Sequence, residues 1–178
     1  MKNLIKLAFI FGLFAFSGQQ AQASHIAGAD INYECIGQDS FRITINVFRD
    51  CSGISAPTNI NNSVTISSPC GSVTPNFTLL NAGSPLPNAN NGTQVSQLCG
   101  SALPQSACNG GPFPGMMQLI FEAIVVLPPC SVWTIGYDVV CCRNTNVNLT
   151  NSDAYVQTTL NNSSDSCNTG PAFAAQPI

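Results

Sequence analysis

Apolar and polar residues alternate with a period of two along several stretches of this chain, which is typical of strands with one buried face. In the clearest stretch, 41–51, every second residue from Phe41 to Val47 is apolar and the residues between them are polar. The stretch 29–35 precedes it. Because the residues at 37–40 favour turns, the two stretches are predicted to form a β-hairpin.

The same period predicts further strands later in the chain. A weaker strand is predicted over 72–80, where Pro75 favours an edge or a bulge because proline lacks a backbone N–H. Segment 81–115 is rich in Gly, Pro, Asn and Ser and shows no period, so we expect a long surface loop there. The remaining predicted strands cover 64–67, 117–127, 132–142 and 153–160.

These elements predict an all-β fold, because no amphipathic helix is found outside the N-terminal segment. Short strands separated by polar turns favour an Ig-like antiparallel β-sandwich. We expect the apolar faces that contain Phe41 and Met117 to lie in opposite sheets and to pack against each other, with Trp133 filling the centre.

The first 23 residues have the features of a cleaved signal peptide. Lys2 and Lys6 precede an apolar run at 7–16, and a small-x-small site at 21–23 follows it. The run is shorter than a membrane span requires. We therefore divide the chain into a signal peptide (1–23), a β-sandwich module (24–170) and the start of a further strand or linker (171–178).

Charge is scarce, and this excludes several function classes. Residues 24–178 contain three arginines, no lysine and eight acidic residues. Binding to nucleic acid or to anionic lipid requires clustered basic residues, which this stretch lacks. We expect a surface of uncharged polar residues, no nucleic-acid partner and no membrane-spanning segment in the mature chain.

The nine cysteines of an exported chain are expected to form disulfides. Metal and cofactor binding is not predicted, because paired C-x2-C ligands and clustered histidines are absent. Cys99 and Cys108, which enclose eight residues including Pro104, are the preferred local pair. Cys141 and Cys142 point to opposite faces of a strand, which favours separate partners over a strained vicinal bridge. The other candidates are Cys35, Cys51, Cys70, Cys130 and Cys167.

An odd number of cysteines leaves one thiol unpaired or paired outside this sequence. We interpret the chain as a fragment whose continuation holds the missing partner. Segment 81–115 is where we place any binding surface, because loops on a rigid scaffold often carry recognition. The alternative is a disulfide-pinned loop without a ligand.

Catalytic candidates are few. His25, the only histidine, lies at the N-terminal end and is expected to be structural, since a catalytic base needs rigid neighbours. The only glutamates, Glu34 and Glu122, lie in predicted strands and are expected to face solvent or to pair with an arginine. Asp50 and Arg143 follow strand ends next to cysteines, and we predict a structural ion pair between them.

Several motifs, in this order, resemble the start of large exported surface proteins of Bacteroidota that are described as gliding-motility-associated proteins or adhesins. The motifs lie at 25–31, 33–35, 41–44, 47–51, 108–111, 127–130 with Trp133, and 141–144. The resemblance implies an N-terminal β-rich module ahead of Ig-like repeats and a type IX secretion sorting domain. Neither follows here, which supports the fragment interpretation. It implies no catalytic residue.

We therefore expect a non-enzymatic, disulfide-stapled module at the cell surface that serves adhesion or gliding. Its expected partners are other modules of the same protein, neighbouring copies or cell-surface glycans. The first alternative is a subunit of an extracellular fibre whose exposed edge accepts a strand from the next copy. A secreted hydrolase is the second alternative.

Overall fold

A computed structural model describes residues 26–53, 57–83, 91–139, 154–164 and 167–170. Most of the secondary structure in these residues is β-strand, in agreement with the predicted all-β class. The predicted signal peptide (1–23) and the segment 171–178 lie outside the described residues. The described residues contain nine strands: β1 (Ile26–Gly37), β2 (Ser40–Asp50), β3 (Val64–Ser68), β4 (Gly71–Val73), β5 (Thr78–Leu79), β6 (Thr93–Gln94), β7 (Met116–Val126), β8 (Trp133–Val139) and β9 (Ala154–Leu160).

The strands form two antiparallel sheets. The first sheet has the order β1-β2-β7-β5, with β6 also paired to β7, and the second sheet has the order β4-β3-β8-β9. Strands β1 and β2 form the predicted hairpin around Gln38 and Asp39. Asp39 has a φ of 54°, a left-handed conformation that aspartate tolerates in tight turns.

The core lies between the two sheets and contains the alternating residues that the sequence indicates. Phe41, Ile43, Ile45 and Val47 of β2 are fully buried, and so is every second residue of β7 from Met117 to Phe121. Strand β8 contributes Trp133, whose side chain is 1% exposed and donates Nε1–H to the carbonyl oxygen of Pro128 at 3.0 Å.

The expectation that the Phe41 and Met117 faces lie in opposite sheets is wrong. Strands β2 and β7 are neighbours in the first sheet, with Phe41 opposite Val125 and Arg49 opposite Met117. The two faces lie side by side and together cover the second sheet. A period of two indicates which face of a strand is buried, but not the sheet to which the strand belongs.

The weak strand predicted over 72–80 is divided. Strand β4 ends at Val73 in the second sheet, Pro75 is buried, and β5 begins at Thr78 in the first sheet. The ladder of β4 ends at Val73, and the chain then crosses from one sheet to the other. Pro75 lies in the connection between two edge strands, which agrees with the expected edge position of a residue without an N–H.

Candidate binding groove and disulfide framework

Among the described residues, three disulfides connect parts of the fold that are far apart in sequence. Cys35 at the end of β1 pairs with Cys167 after β9, at a separation of 132 residues. The second disulfide, Cys51–Cys108, joins the end of β2 to a short 3-10 helix (Ala107–Asn109). The third, Cys70–Cys130, joins the turn between β3 and β4 to the connection between β7 and β8.

The preferred pair Cys99–Cys108 is wrong. Cys108 is fully buried against Met117 and bonds to Cys51, whereas Cys99 is exposed and forms no disulfide with a described cysteine. The 3-10 helix directs the Cys108 side chain inward, under the start of β7. A spacing of eight residues carries no information about this direction, so proximity in sequence favoured the wrong partner.

Two further predictions cannot be followed in this structure. Cys141, Cys142 and Arg143 lie outside the described residues, and with them the predicted ion pair between Asp50 and Arg143. Asp50 itself accepts hydrogen bonds at Oδ1 from the backbone N–H of Ser52 at 2.8 Å and from its hydroxyl at 2.7 Å. These bonds fix the turn that follows β2.

Arg49 precedes Asp50, and its side chain points into the protein, where it is 3% exposed. Burial lowers the pKa of Arg49, and the neighbouring charge of Asp50 acts in the opposite direction. The guanidinium of Arg49 therefore lies in the interior, whereas the side chain of Asp50 lies on the opposite face of the sheet.

That opposite face, which we call the outer face of the first sheet, carries two polar arrangements. In one, Arg42 Nη1 lies 2.7 Å from Glu34 and Arg42 Nε lies 3.5 Å from Glu122. The expectation that the two glutamates pair with an arginine is confirmed, and a single arginine serves both. Adjacent strands bring the three side chains together, because Glu34 lies opposite Arg42 in the β1–β2 register.

The second arrangement is a row of hydrogen bonds across β1, β2 and β7. Asp30 Oδ1 accepts from the amides of Asn32 at 2.8 Å and Asn46 at 2.7 Å, and Asn46 Oδ1 accepts from Gln118 Nε2 at 2.9 Å. Asp30 Oδ2 is buried and has no hydrogen-bond partner among the described residues. Burial raises the pKa of Asp30, and the bond from Asn46 acts against this.

A groove of about 690 Å³ lies at the end of the outer face, next to this row. It is formed by residues 27–30 of β1, by Phe48 and Asp50 of β2, by segment 95–98 and by residues 114–116. Volumes of this size, about 300–1,000 Å³, are typical of ligand-binding pockets. Most of the lining is apolar, and Phe48 and Met116 are only partly buried.

Gly28, which has no side chain, leaves the groove open towards β1. Gly28 lies opposite Phe48 across the β1–β2 ladder, and a Cβ placed on Gly28 would have no atom within 4 Å. Any larger residue at this position would project into open space above Phe48. The glycine therefore leaves a gap that joins the groove to the side of β1.

Three hydrogen bonds fix the wall formed by segment 95–98 and Gly115. Ser96 Oγ accepts the backbone N–H of Met116 at 2.9 Å, and the N–H of Val95 donates to the carbonyl oxygen of Met116 at 2.8 Å. Gly115 accepts the N–H of Cys51 at 2.9 Å, and its Cβ, if present, would lie 2.7 Å from Cys108 Sγ. The Cys51–Cys108 disulfide thus supports the wall from below.

The groove is acidic. Asp30 and Asp50 line it, and no lysine, arginine or histidine of the described chain does so. The sequence analysis places any binding surface in segment 81–115, with a loop without a ligand as the alternative, and six groove residues, 95–98 and 114–115, come from this segment. The sequence interpretation missed the wall formed by β1 and β2, although the outward alternation of Gly28 with Asp30, and of Phe48 with Asp50, was visible.

Comparison with protein-family models, curated proteins and solved structures finds no match to this chain. Within the described ranges, no helix is long and apolar enough to cross a membrane. No group of three or more histidine, cysteine or acidic residues suited to a metal ion occurs in the same ranges.

Proposed function

We propose that this chain is a non-enzymatic module of an exported bacterial surface protein, which transmits tension and carries an adhesive groove. The observation that carries this proposal is the disulfide Cys35–Cys167, which encloses β2 to β9 within one covalent loop. Tension applied before Cys35 and after Cys167 passes through the disulfide. The enclosed strands are then shielded from the pulling force.

The connectivity supports an Ig-like assignment for the sandwich. The order β1-β2-β7-β5 parallels strands A-B-E-D of that fold, and β4-β3-β8-β9 parallels C′-C-F-G. The crosslinks differ, because the disulfides among the described residues lie at the ends of strands and do not join the two sheets across the core as in antibody domains.

Single-molecule stretching tests the mechanical part. With handles at both ends of the mature chain, the oxidised protein should extend only by the residues outside the Cys35–Cys167 loop. Breaking this disulfide together with the two disulfides inside the loop should release roughly 450 Å more, at 3.3–3.6 Å for each residue over the separation of 132 residues.

The double variant C35S/C167S should release this length without reductant, once the other two disulfides are also removed. The matched variant C51S/C108S, which retains Cys35–Cys167, should not lengthen the oxidised chain. Equal extension of the wild-type protein and of the variant that lacks all three disulfides would refute the mechanical role.

Export is tested separately. Expressed with residues 1–23 in a bacterium with two membranes, the chain should appear outside the cytoplasm with Ser24 as its first residue. Mass spectrometry under non-reducing conditions should find the three disulfides. A cytoplasmic protein with free thiols at Cys35 and Cys167 would contradict the proposal.

A fibre subunit remains the second candidate, favoured by one observation. On the side of β1 away from β2, the hydrogen bonds that described residues make with the β1 backbone lie at Tyr33 and Cys35. If this edge accepts a strand from another copy, the purified protein should form oligomers whose size increases with concentration. A monomer at all concentrations would exclude this candidate.

A further inference from the structure

The face of the second sheet that points away from the core, which we call the outer face of the second sheet, carries a tyrosine that lies along the strands. Tyr155 of β9 stands opposite Asp138 of β8, and Gly136, two residues earlier in β8, lies diagonal to it on the same face. A Cβ placed on Gly136 would collide with Tyr155 Oη and would lie 2.7 Å from Cζ. The phenol ring therefore occupies the space above Gly136, which is buried although this position faces outward.

The same ring is open to solvent on its other side, since Tyr155 is 56% exposed. The face of an aromatic ring carries partial negative charge. The C–H groups of a sugar ring carry partial positive charge, because the oxygen atoms bonded to its carbons withdraw electrons. A tyrosine ring held along a sheet therefore offers a platform on which a sugar ring can lie in parallel.

Three exposed polar side chains stand at the positions around the ring. Thr65 of β3 and Gln157 of β9 lie opposite Gly136 from its two sides, and Asp138 lies opposite Tyr155. A hydroxyl, an amide and a carboxylate can together accept and donate hydrogen bonds to several sugar hydroxyl groups. Asp138 is the one charged residue among the outward-facing positions of β3, β8 and β9, so this surface favours a neutral ligand.

Short hydroxyl side chains keep the adjoining row of the face level. Ser67 of β3 lies opposite Ser72 of β4 on one side and opposite Thr134 of β8 on the other, and Thr134 lies opposite Thr159 of β9. The row crosses four strands, a distance of roughly 14 Å at about 4.8 Å between neighbours. A ligand longer than one sugar ring can therefore lie beside Tyr155 without meeting a bulky side chain of this row.

This surface fits a protein partner less well. The centre of a protein interface buries several aromatic or aliphatic side chains together. Within the described ranges, Tyr155 is the large exposed hydrophobic residue of this face, whereas Ile124 and Val126 lie on the outer face of the first sheet. One ring among hydroxyl and amide groups is the chemistry that recognises a carbohydrate.

We propose that the outer face of the second sheet binds a neutral oligosaccharide, with one pyranose ring stacked on Tyr155 and its hydroxyl groups bonded to Asp138, Gln157 and Thr65. The fitting sugar carries its hydroxyl groups equatorially, as β-linked glucose does, because its axial C–H groups can then contact the tyrosine ring. This inference rests on the proposed adhesive function and adds a ligand class and a second surface, outside the groove.

The probe is cellotetraose, a chain of β-linked glucose units, added to the oxidised mature protein. Saturation-transfer NMR should show magnetisation passing from the protein to the C–H groups of the sugar. Sorbitol is the control compound at the same concentration of hydroxyl groups, because it is a polyol without a ring that can stack. It should receive no comparable saturation, and equal saturation of both compounds would overturn the proposal.

Substitutions at the ring test the stacking. Tyr155→Ala should weaken cellotetraose binding by about tenfold or more, whereas Tyr155→Phe, which keeps the ring, should change it by less than about threefold. Equal losses in the two variants would contradict stacking. Phe48→Ala is the control for location, because Phe48 lines the groove of the first sheet and should not affect binding of the sugar.

Gly136→Ala tests the position of the ring while the tyrosine is retained. The new Cβ should lift the ring off the sheet, because the atoms that it meets are the far end of a movable side chain. The variant should stay folded and bind cellotetraose about tenfold more weakly. Gly100→Ala, at a site with open space, is the matched control and should bind as the wild type does.

A measurement on the unchanged protein keeps the test independent of folding defects. The chain contains three tyrosines, and with 13C-labelled rings the signal of Tyr155 should shift on adding cellotetraose, whereas that of buried Tyr137 should not. Unchanged binding to Tyr155→Ala, or no shift of the Tyr155 signal, would each overturn the proposal. None of these results would alter the stretching experiment, so failure of the sugar site and failure of the mechanical role are distinguishable.

Discussion

Removal of the Cys35–Cys167 disulfide provides the sharpest test of how the fold is stabilised. The perturbation is the double substitution C35S/C167S, which leaves the other two disulfides in place. A disulfide stabilises mainly by reducing the entropy of the unfolded chain, and the loop-entropy relation gives about 5 kcal/mol for a loop of 132 residues. The other two disulfides lie inside this loop and shorten it, so the expected loss is about 4 kcal/mol.

Native contacts near the disulfide add only slightly to the expected loss of unfolding free energy. Segment 167–170 contacts β1 through the bonds of Thr169 and Gly170, each worth about 1 kcal/mol when retained. Tyr33 Oη also donates to the carbonyl oxygen of Thr159 at 3.3 Å, which connects β1 to β9 without the disulfide. These bonds hold the native geometry, so the main effect should arise in the unfolded state.

Urea unfolding at neutral pH, followed by Trp133 fluorescence, measures the change. The variant should lose about 4 kcal/mol, and its m-value should increase because the unfolded chain without the disulfide exposes more surface. Cys99→Ser is the control and should leave both quantities unchanged, since Cys99 is exposed and forms no disulfide with a described cysteine. A loss below about 1 kcal/mol, in a wild-type protein whose disulfide is verified by mass spectrometry, would refute the reasoning.

Three further predictions concern single residues. Gly115→Ala should destabilise the fold by about 1–3 kcal/mol in urea unfolding, because the new Cβ would lie 2.7 Å from Cys108 Sγ, whereas Gly100→Ala should change stability by less than about 0.5 kcal/mol. Burial raises the pKa of Asp30 above 3.8, so its contribution to stability is fully present below that value and decreases as the pH rises through the folded-state pKa. The difference in unfolding free energy between wild type and Asp30→Asn should therefore decrease as the pH rises above about 4, and a difference independent of pH would contradict this. Burial, with a smaller effect of Asp138, raises the pKa of Tyr137 to about 12. The ultraviolet difference titration between wild type and Tyr137→Phe should therefore show a tyrosine that ionises near that pH. Ionisation near 10 would show that Tyr137 is not buried.

The positions of the strands could be predicted because burial leaves a local pattern. The buried residues of β2 alternate strictly with polar ones, and the predicted limits of β1, β2, β7 and β9 differ from the observed ones by a few residues. The turn at Gln38 and Asp39 was predictable for the same reason, since turn residues act within a few positions of the chain.

The pairing of strands and cysteines that are far apart in sequence leaves no such local pattern in the sequence. The neighbour relation of β2 and β7, the crossover at Pro75 and the bond between Cys51 and Cys108 each depend on residues far apart in sequence. Many connectivities are compatible with nine cysteines, and spacing does not rank them. Only the part of the groove that comes from segment 81–115 was predictable. The groove forms because segment 95–98 lies over the outer face beside Gly28, and the sequence does not indicate this contact.

The Cys51–Cys108 disulfide lies outside the main core, where packing alone holds the chain weakly. The main core is continuous across both sheets, whereas Cys51, Cys108 and Met117 form a separate small cluster below the groove wall. Ion pairs cannot substitute for this crosslink, because exposed pairs such as Arg42–Glu34 contribute only about 0–1 kcal/mol. A wall fixed before a ligand arrives loses little conformational entropy on binding. Removal of the Cys51–Cys108 disulfide should therefore make the groove wall mobile while the main core stays folded. Binding and the stability of the fold would then depend on different disulfides of the same sandwich.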